Sequence, residues 1–271
     1  KKRHPSAVFL PYWHYHPELE LTLISQGRGT RYIGDSIQNY QAHDLVLVGE
    51  NLPHHWVSHP RDKLVQEAFV IQFSKTLFIP FPECKALDIL FQRATRGLQF
   101  SIPCAEIIDQ IQALVTSSAV QQLATLLSIL DRLSREESLP LASSGFRSPI
   151  PSSGRMTQEV KKQDKIAQTT QYILEHLDQK LTVNHMAERT HMVPQSFCRW
   201  FRQHTGHSFI SFLNQSRIRQ ACHLLQHSSL QVQEIAFDCG FESVPHFNRV
   251  FKQLMETNPL RFRAEQRSRF D

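Results

Sequence analysis

Residues 181–206, "LTVNHMAERTHMVPQSFCRWFRQHTG", and residues 230–256, "LQVQEIAFDCGFESVPHFNRVFKQLME", are two copies of one pattern. Leu181, Val183 and Ala187 align with Leu230, Val232 and Ala236 at an offset of 49 residues. Beyond a turn the offset becomes 50, where Phe197, Arg199, Phe201 and Gln203 meet Phe247, Arg249, Phe251 and Gln253. The second copy therefore has one extra turn residue. A repeated unit restricts the fold strongly, because each copy must solve the same packing problem. In the second copy Val232, Ile235, Ala236 and Cys239 form one helical stripe, and Phe247, Val250, Phe251 and Leu254 form another. Gly240 suits the left-handed position that ends a helix. Ser243 suits an N-cap and Pro245 a first turn, so the second helix is predicted to start near Val244. Each copy reads as helix, tight turn, helix.

The face opposite the buried stripe is the informative one. In the first copy it carries Gln195, Arg199 and Arg202, flanked by Ser196 and Cys198. In the second it carries Pro245, Arg249 and Lys252, flanked by His246 and Asn248. One such face is ordinary solvated surface. Two copies, each with an arginine at the centre and a second cation three residues on, point to an anionic partner. Between the copies a helix is predicted from Ser208 to about Gln226, ~28 Å long at 1.5 Å per residue. Successive major grooves on one side of duplex DNA lie ~34 Å apart, so such a rod can set two helices into neighbouring grooves.

Charge follows the same division. Residues 1–160 hold 15 Lys and Arg against 15 Asp and Glu, whereas residues 161–271 hold 15 against 10, so the whole formal charge of +5 lies with the repeat. The segment 141–160, opening "LASSGFRSPIPSSGR", has the Ser, Pro and Gly content of a linker. It separates residues 1–140 from 161–271. Upstream, "LELTLI", "TRYI", "DLVLVG" and "AFVIQF" read as short strands of a small barrel or sandwich. Residues 105–134 switch to a helical period, with Ile107, Ile108, Ile111 and Leu114, then Val120, Leu123, Leu127, Leu130 and Leu133. The second stripe suits either packing on the strands or a dimer seam. The expected fold class is thus α+β in two domains, a β-barrel with a helical hairpin followed by an all-α region with helix-turn-helix units at about 181–205 and 230–255.

Cys84, Cys104, Cys198, Cys222 and Cys239 show no paired spacing and read as reduced, mostly buried thiols. The chain opens "KKRHPS" without a methionine and shows no signal peptide or apolar run of membrane-spanning length. A soluble cytoplasmic protein without membrane partners is expected.

The stretch from Leu181 to Leu225 together with "VQEIAFDCGFESVPHFNRVFKQLMETNPLRFR", about 100 residues in all, resembles the AraC family of bacterial transcription regulators. The resemblance implies seven helices, double-stranded DNA as partner, and DNA contacts from Gln195, Ser196, Cys198, Arg199 and Arg202 in the first unit. In the second unit they would come from Ser243, His246, Asn248, Arg249 and Lys252. Arginine matches guanine bidentately, and glutamine or asparagine matches adenine. The sequence departs from the family at Glu256, where glycine is usual, and at Val244 and Pro245, where polar residues are common.

The front half resembles the cupin domains that are often fused to such modules. "HYHPELELTLISQG" places His14, His16, Glu20 and Gly27 in the cupin pattern, and "GENLPHHW" supplies His54 for its second motif, although that motif's usual glycines and final asparagine are absent. On one strand His14, His16 and Glu20 would share a face. Three imidazoles and a carboxylate suit a transition metal, and they equally suit the polar floor of a pocket for an organic effector. Tyr12, Trp13, Tyr15, Tyr32 and Trp56 crowd the same strands, and Arg31 suits a hydroxyl or acid. Together they point to a sugar effector bound by His14, His16, Glu20, Arg31, Tyr32, His54 and Trp56. Two functions follow: an effector-controlled, homodimeric transcription regulator, and a metal-dependent cupin isomerase or dioxygenase with a helical appendage. The charge on the repeat favours the regulator, which is not an enzyme.

Overall fold

The computed structural model describes residues 2–6, 9, 12–58, 64–101, 105–148 and 156–267. Contacts divide the chain into two compact units, the second made of residues from 153 onward together with 12–13 and the middle of one front strand, 37–39. The front unit holds β1 (Lys2–Ser6), β2 (Leu19–Gln26), β3 (Gly29–Ile33), β4 (Ser36–Tyr40), β5 (Asp44–Val48), β6 (His54–Ser58) and β7 (Gln66–Phe73). It continues through α1 (Leu87–Ala94), β8 (Leu98–Phe100), α2 (Ala105–Ala113), α3 (Ala119–Arg135) and β9 (Ser138–Pro140).

The strands form two sheets, ordered β1-β7-β2-β5-β8-β9 and β4-β3-β6. Among the described residues these two sheets do not close into the expected β-barrel, and their pairing is that of a sandwich. Every residue of β2 except Gln26 is buried, because both faces of its sheet are covered. Leu19, Leu21 and Leu23 point one way and join Leu126, Ile129, Leu130 and Leu133 of α3 in the main core. Glu20, Thr22 and Ile24 point the other way, since side chains alternate along a strand. On that side Val46 and Val48 of the large sheet pack with Ile33 of the small one. The space between the sheets is therefore where polar residues of β2 meet β6.

In α3 the predicted stripe splits. Leu130 and Leu133 are buried, whereas Val120 and Leu123 are exposed. The first residues of the expected linker pack against the front unit. Ala142 is fully buried and Phe146 packs on the front unit's second core, while Leu141 and Ala142 donate to Gly97 O and Arg96 O. The next helix already begins at Met156. Residues 149–155, like Cys104, lie outside the described residues.

The second unit contains seven helices among the described residues: α4 (Met156–Glu175), α5 (Val183–Arg189), α6 (Pro194–Thr205), α7 (Phe209–His227), α8 (Val232–Asp238), α9 (Val244–Met255) and α10 (Pro259–Arg267). α5 and α8 keep the offset of 49, and α6 and α9 that of 50, at both ends. α7 runs for 19 residues, with Ser208 as its N-cap. Its first turns give Phe209 and Phe212 to a ring cluster with Phe197 and Phe201. Its last turns give Ile218, Ala221, Cys222 and Leu225 to the core of the second copy, with Phe247 and Phe251. Full burial of a side chain such as Phe247 contributes roughly 1.5–3 kcal/mol, so these rings anchor each unit to the rod. Burial also pushes the Cys222 thiol up to about 12. Among the described cysteines Cys222 and Cys239 are buried, Cys84 is half-buried and Cys198 is exposed, as its place on the outward face of the first copy requires.

Candidate functional site

In the second unit, Gln195, Ser196, Cys198, Arg199 and Arg202 are all exposed on α6, with Phe197 and Phe201 buried behind them. On α9 Asn248, Arg249 and Lys252 are exposed, Ser243 is exposed at the cap and His246 is half-buried. The Ser243 hydroxyl accepts from His246 N at 3.4 Å, so its acceptor role is already used by the helix. Val193, the N-cap of α6, makes no such bond. The two faces also differ in their surroundings. Arg249 and His246 line a groove of about 600 Å³ together with Lys180, Asn214, Arg217 and Glu242.

In the front unit His14, His16, Glu20 and His54 offer ligand atoms that all lie within 4.8 Å of one another. The route to this convergence is not the expected one. β2 begins only at Leu19, so His14 and His16 precede it. His14 is placed by an isolated bridge to His54, with His54 N donating to His14 O at 2.9 Å.

The hydrogen bonds define the ring orientations. His54 Nδ1 lies 2.7 Å from Leu52 O, and His16 Nδ1 lies 3.1 Å from Glu18 O. A carbonyl can only accept, so both Nδ1 atoms carry protons and both Nε2 atoms turn inward. His16 Nε2 is 3.1 Å from Glu20 Oε2, and His54 Nε2 is 3.5 Å from Glu20 Oε1. Thr22 donates to Glu20 Oε1 at 2.7 Å. With Nε2 turned inward, both rings face the Glu20 carboxylate, an arrangement that favours a proton or a cation among these atoms. Burial alone would lower the pKa of His16, but the hydrogen bond and charge of Glu20 outweigh it and raise the pKa. Burial likewise works to raise that of Glu20, yet His54, His16 and Thr22 together hold its carboxyl well below the usual range. The backbone-anchored Nδ1 atoms are the arrangement that orients metal-bound histidines, so the donor set fits a transition metal.

Trp56 shares the inner face of β6 with His54, their ring centroids 6.0 Å apart. Its Nε1 is buried without a hydrogen-bond partner among the described residues. Two residues of the expected effector set have other partners. Arg31 is buried and donates to both oxygens of Asp44, which also accepts from Gln99 at 2.9 Å, so its charge is neutralised inside the fold. Tyr32 lies on the opposite face of β3 and packs on His55, with centroids 4.4 Å apart. Gln72, absent from the expected set, donates to Glu20 Oε2 at 3.0 Å and lies 3.1 Å from His16 Nε2. Its place follows from the β2–β7 register, which sets Gln72 opposite Glu20. No local pattern marks it.

Comparison with known proteins adds four findings. A family model described as a helix-turn-helix domain matches residues 186–265. The chain is 24% identical to the HTH-type transcriptional activator RhaR of Cronobacter sakazakii over 269 residues, 97% of this chain and 89% of that protein. It is 26% identical over 151 residues to the HTH-type transcriptional activator RhaS of Salmonella schwarzengrund, and this match spans about half of each protein, 54%. Among solved structures, the DNA-binding domain of AdpA, a global transcriptional factor in complex with a target DNA, is 33% identical, with 95% of that domain and 39% of this chain covered at a TM-score of 0.38.

Proposed function

Because this chain belongs to the AraC family of transcription regulators, we propose that it binds duplex DNA through α6 and α9, one in each of two neighbouring major grooves, and acts as a regulator rather than an enzyme. The observation that carries this reading is the pair of exposed, arginine-centred faces presented by one repeated unit at either end of α7. Gln195, Cys198 and Arg199 read bases in the first half-site, and His246, Asn248 and Arg249 in the second. Ser196, Arg202, Ser243 and Lys252 hold the backbone, because phosphates are met from the flanks of a recognition helix. Activation is the expected direction, as the names of RhaR and RhaS state for those proteins.

The front unit senses a small molecule in the space between its sheets. The indole N–H of Trp56 and the polar floor of His14, His16, Glu20 and His54 suit a hydroxyl-rich ligand such as a sugar. A divalent transition metal held by these four residues would supply a Lewis-acidic anchor for a ligand oxygen. The exposed Val120 and Leu123 of α3 provide a seam for a homodimer.

The test uses the full-length protein and a randomised duplex library. Selection should yield a sequence whose affinity falls steeply with salt, because cation-to-phosphate contacts release counterions. DNA should also protect Cys198 from alkylation. No enriched sequence, or unchanged Cys198 labelling on the selected duplex, would refute the assignment. For the front unit, His16→Ala with His54→Ala should abolish the effector response. Elemental analysis of the wild type then separates a metal-centred pocket from an organic one.

A further inference from the structure

We propose that Arg217 and Gly240 lock the two helix-turn-helix units together, making the spacing between DNA half-sites a recognised feature of the operator in its own right; the inference rests on the DNA-binding reading above. Arg217 leaves α7 and runs into the second unit's interior. Its Nε donates to Leu177 O at 2.8 Å and its terminal nitrogen to Gln179 O at 2.6 Å. Both carbonyls belong to the segment that joins α4 to the first helix-turn-helix. The same guanidinium lies 5.7 Å from the centre of the Phe241 ring, and Phe241 is buried in the core of the second copy. One side chain thus ties the core of the second copy to the segment that leads into the first. A buried guanidinium is costly unless its donors are met, so these partners hold it in place.

Gly240 completes the joint. It occupies the turn of the second copy at φ +82°, and a Cβ there would stand 2.1 Å from Leu177 O. His191 holds the equivalent place in the first copy, 49 residues earlier, and takes a left-handed φ of 52° with a full side chain. The turn itself therefore accepts a side chain. What Gly240 permits is the close approach of the second copy's turn to the segment before α5. Lys180 and Glu242 bridge the same seam at 2.9 Å on the surface.

The consequence follows from effective concentration. When one unit is bound, the second meets its half-site as an intramolecular partner, and a stiff joint concentrates it at one separation only. A slack joint spreads it over many.

The experiment takes the bipartite site selected from the randomised library. Affinity is measured for the whole site, for each half alone, and for sites with one or two base pairs inserted between the halves. The wild type should bind the whole site far better than either half and lose that advantage on insertion. In Arg217→Ala, whole-site affinity should fall about 10-fold or more, the spacing profile should flatten, and affinity for single halves should stay within about two-fold. Arg217→Lys, which keeps the charge but not the two-carbonyl fork, should fall between and covers the case in which Arg217→Ala does not fold. Folded variants that keep the steep profile, or that lose affinity equally for halves and whole site, overturn the proposal. Selection of a single uninterrupted half-site by the wild type would overturn it while leaving the DNA-binding reading standing. Selection of no sequence would overturn both.

Discussion

The first and second helix-turn-helix units have helices of equal length in the same register, yet they distribute their glycines in opposite ways. Each has two left-handed positions, one in the turn and one after the second helix. The first unit fills them with His191 at 52° and Gly206 at 76°, and the second with Gly240 at 82° and Glu256 at 57°. Gly206 N donates to Arg202 O at 2.9 Å, and Glu256 N to Lys252 O at 3.0 Å, so the two C-terminal turns close alike. The difference lies in what surrounds the turns. His191 and Glu256 are exposed, and a side chain there only carries the strain of its backbone. Gly240 faces a carbonyl from the other half of the domain. A glycine required by its neighbours and a glycine that merely eases a dihedral angle look the same in a sequence, and the repeat is what separates them.

The comparison can be broken or sharpened by substitution. The largest effects should come from the two central arginines. Arg199→Ala and Arg249→Ala should each cost about 1–3 kcal/mol at the selected site and relax preference at one base position, in different half-sites. Arg202→Ala should weaken all sequences alike. Site selection with each variant checks this, and an unchanged profile for Arg249→Ala would mean that α9 touches only backbone.

Gly240→Ala should lower unfolding stability by at least ~1–2 kcal/mol, since it adds left-handed strain to a clash with Leu177 O. His191→Ala should leave stability nearly unchanged. Denaturant midpoints of the pair measure the difference directly, and equal losses would show that the two turns are equivalent after all.

Glu256→Gly should stabilise the second unit by about 1 kcal/mol by removing the left-handed strain of a side chain. Gly206→Ala should cost a similar amount in the first, which thermal melts of the two variants would resolve.

The smallest effect concerns the caps. Ser243 caps α9 with its hydroxyl, whereas Val193 at the start of α6 has extended backbone angles and no side-chain acceptor. Val193→Ser should raise stability by roughly 0.5–1 kcal/mol, an effect absent from a capped helix. No change in the melting temperature would show that α6 is already satisfied by other means.

Legibility differed sharply between the two units. The stripes, caps and turn of each helix-turn-helix were readable because every signal lies within a dozen residues, where helical period and capping chemistry act locally. Strands β2, β3, β5 and β7 showed their apolar runs for the same reason. β4, α1 and β8 were not anticipated, and two histidines assigned to a strand belong instead to the segment before it. The aromatic and basic residues proposed around the pocket shared a stretch of sequence with His54, but strand alternation sends Tyr32 to the far face and the Asp44 carboxylate claims Arg31.

The sequence alone determined the repeat, the concentration of positive charge on its half of the chain, and which helix faces stay in water, because these depend on spacing along the chain. Only the tertiary structure decided that Gln72 meets Glu20, that His14 pairs with His54, and that Gly240 lies against Leu177 O. Those pairs are 52, 40 and 63 residues apart. Sheet register and helix packing bring them together, and a shift of one residue in a strand would turn each of its side chains to the opposite face.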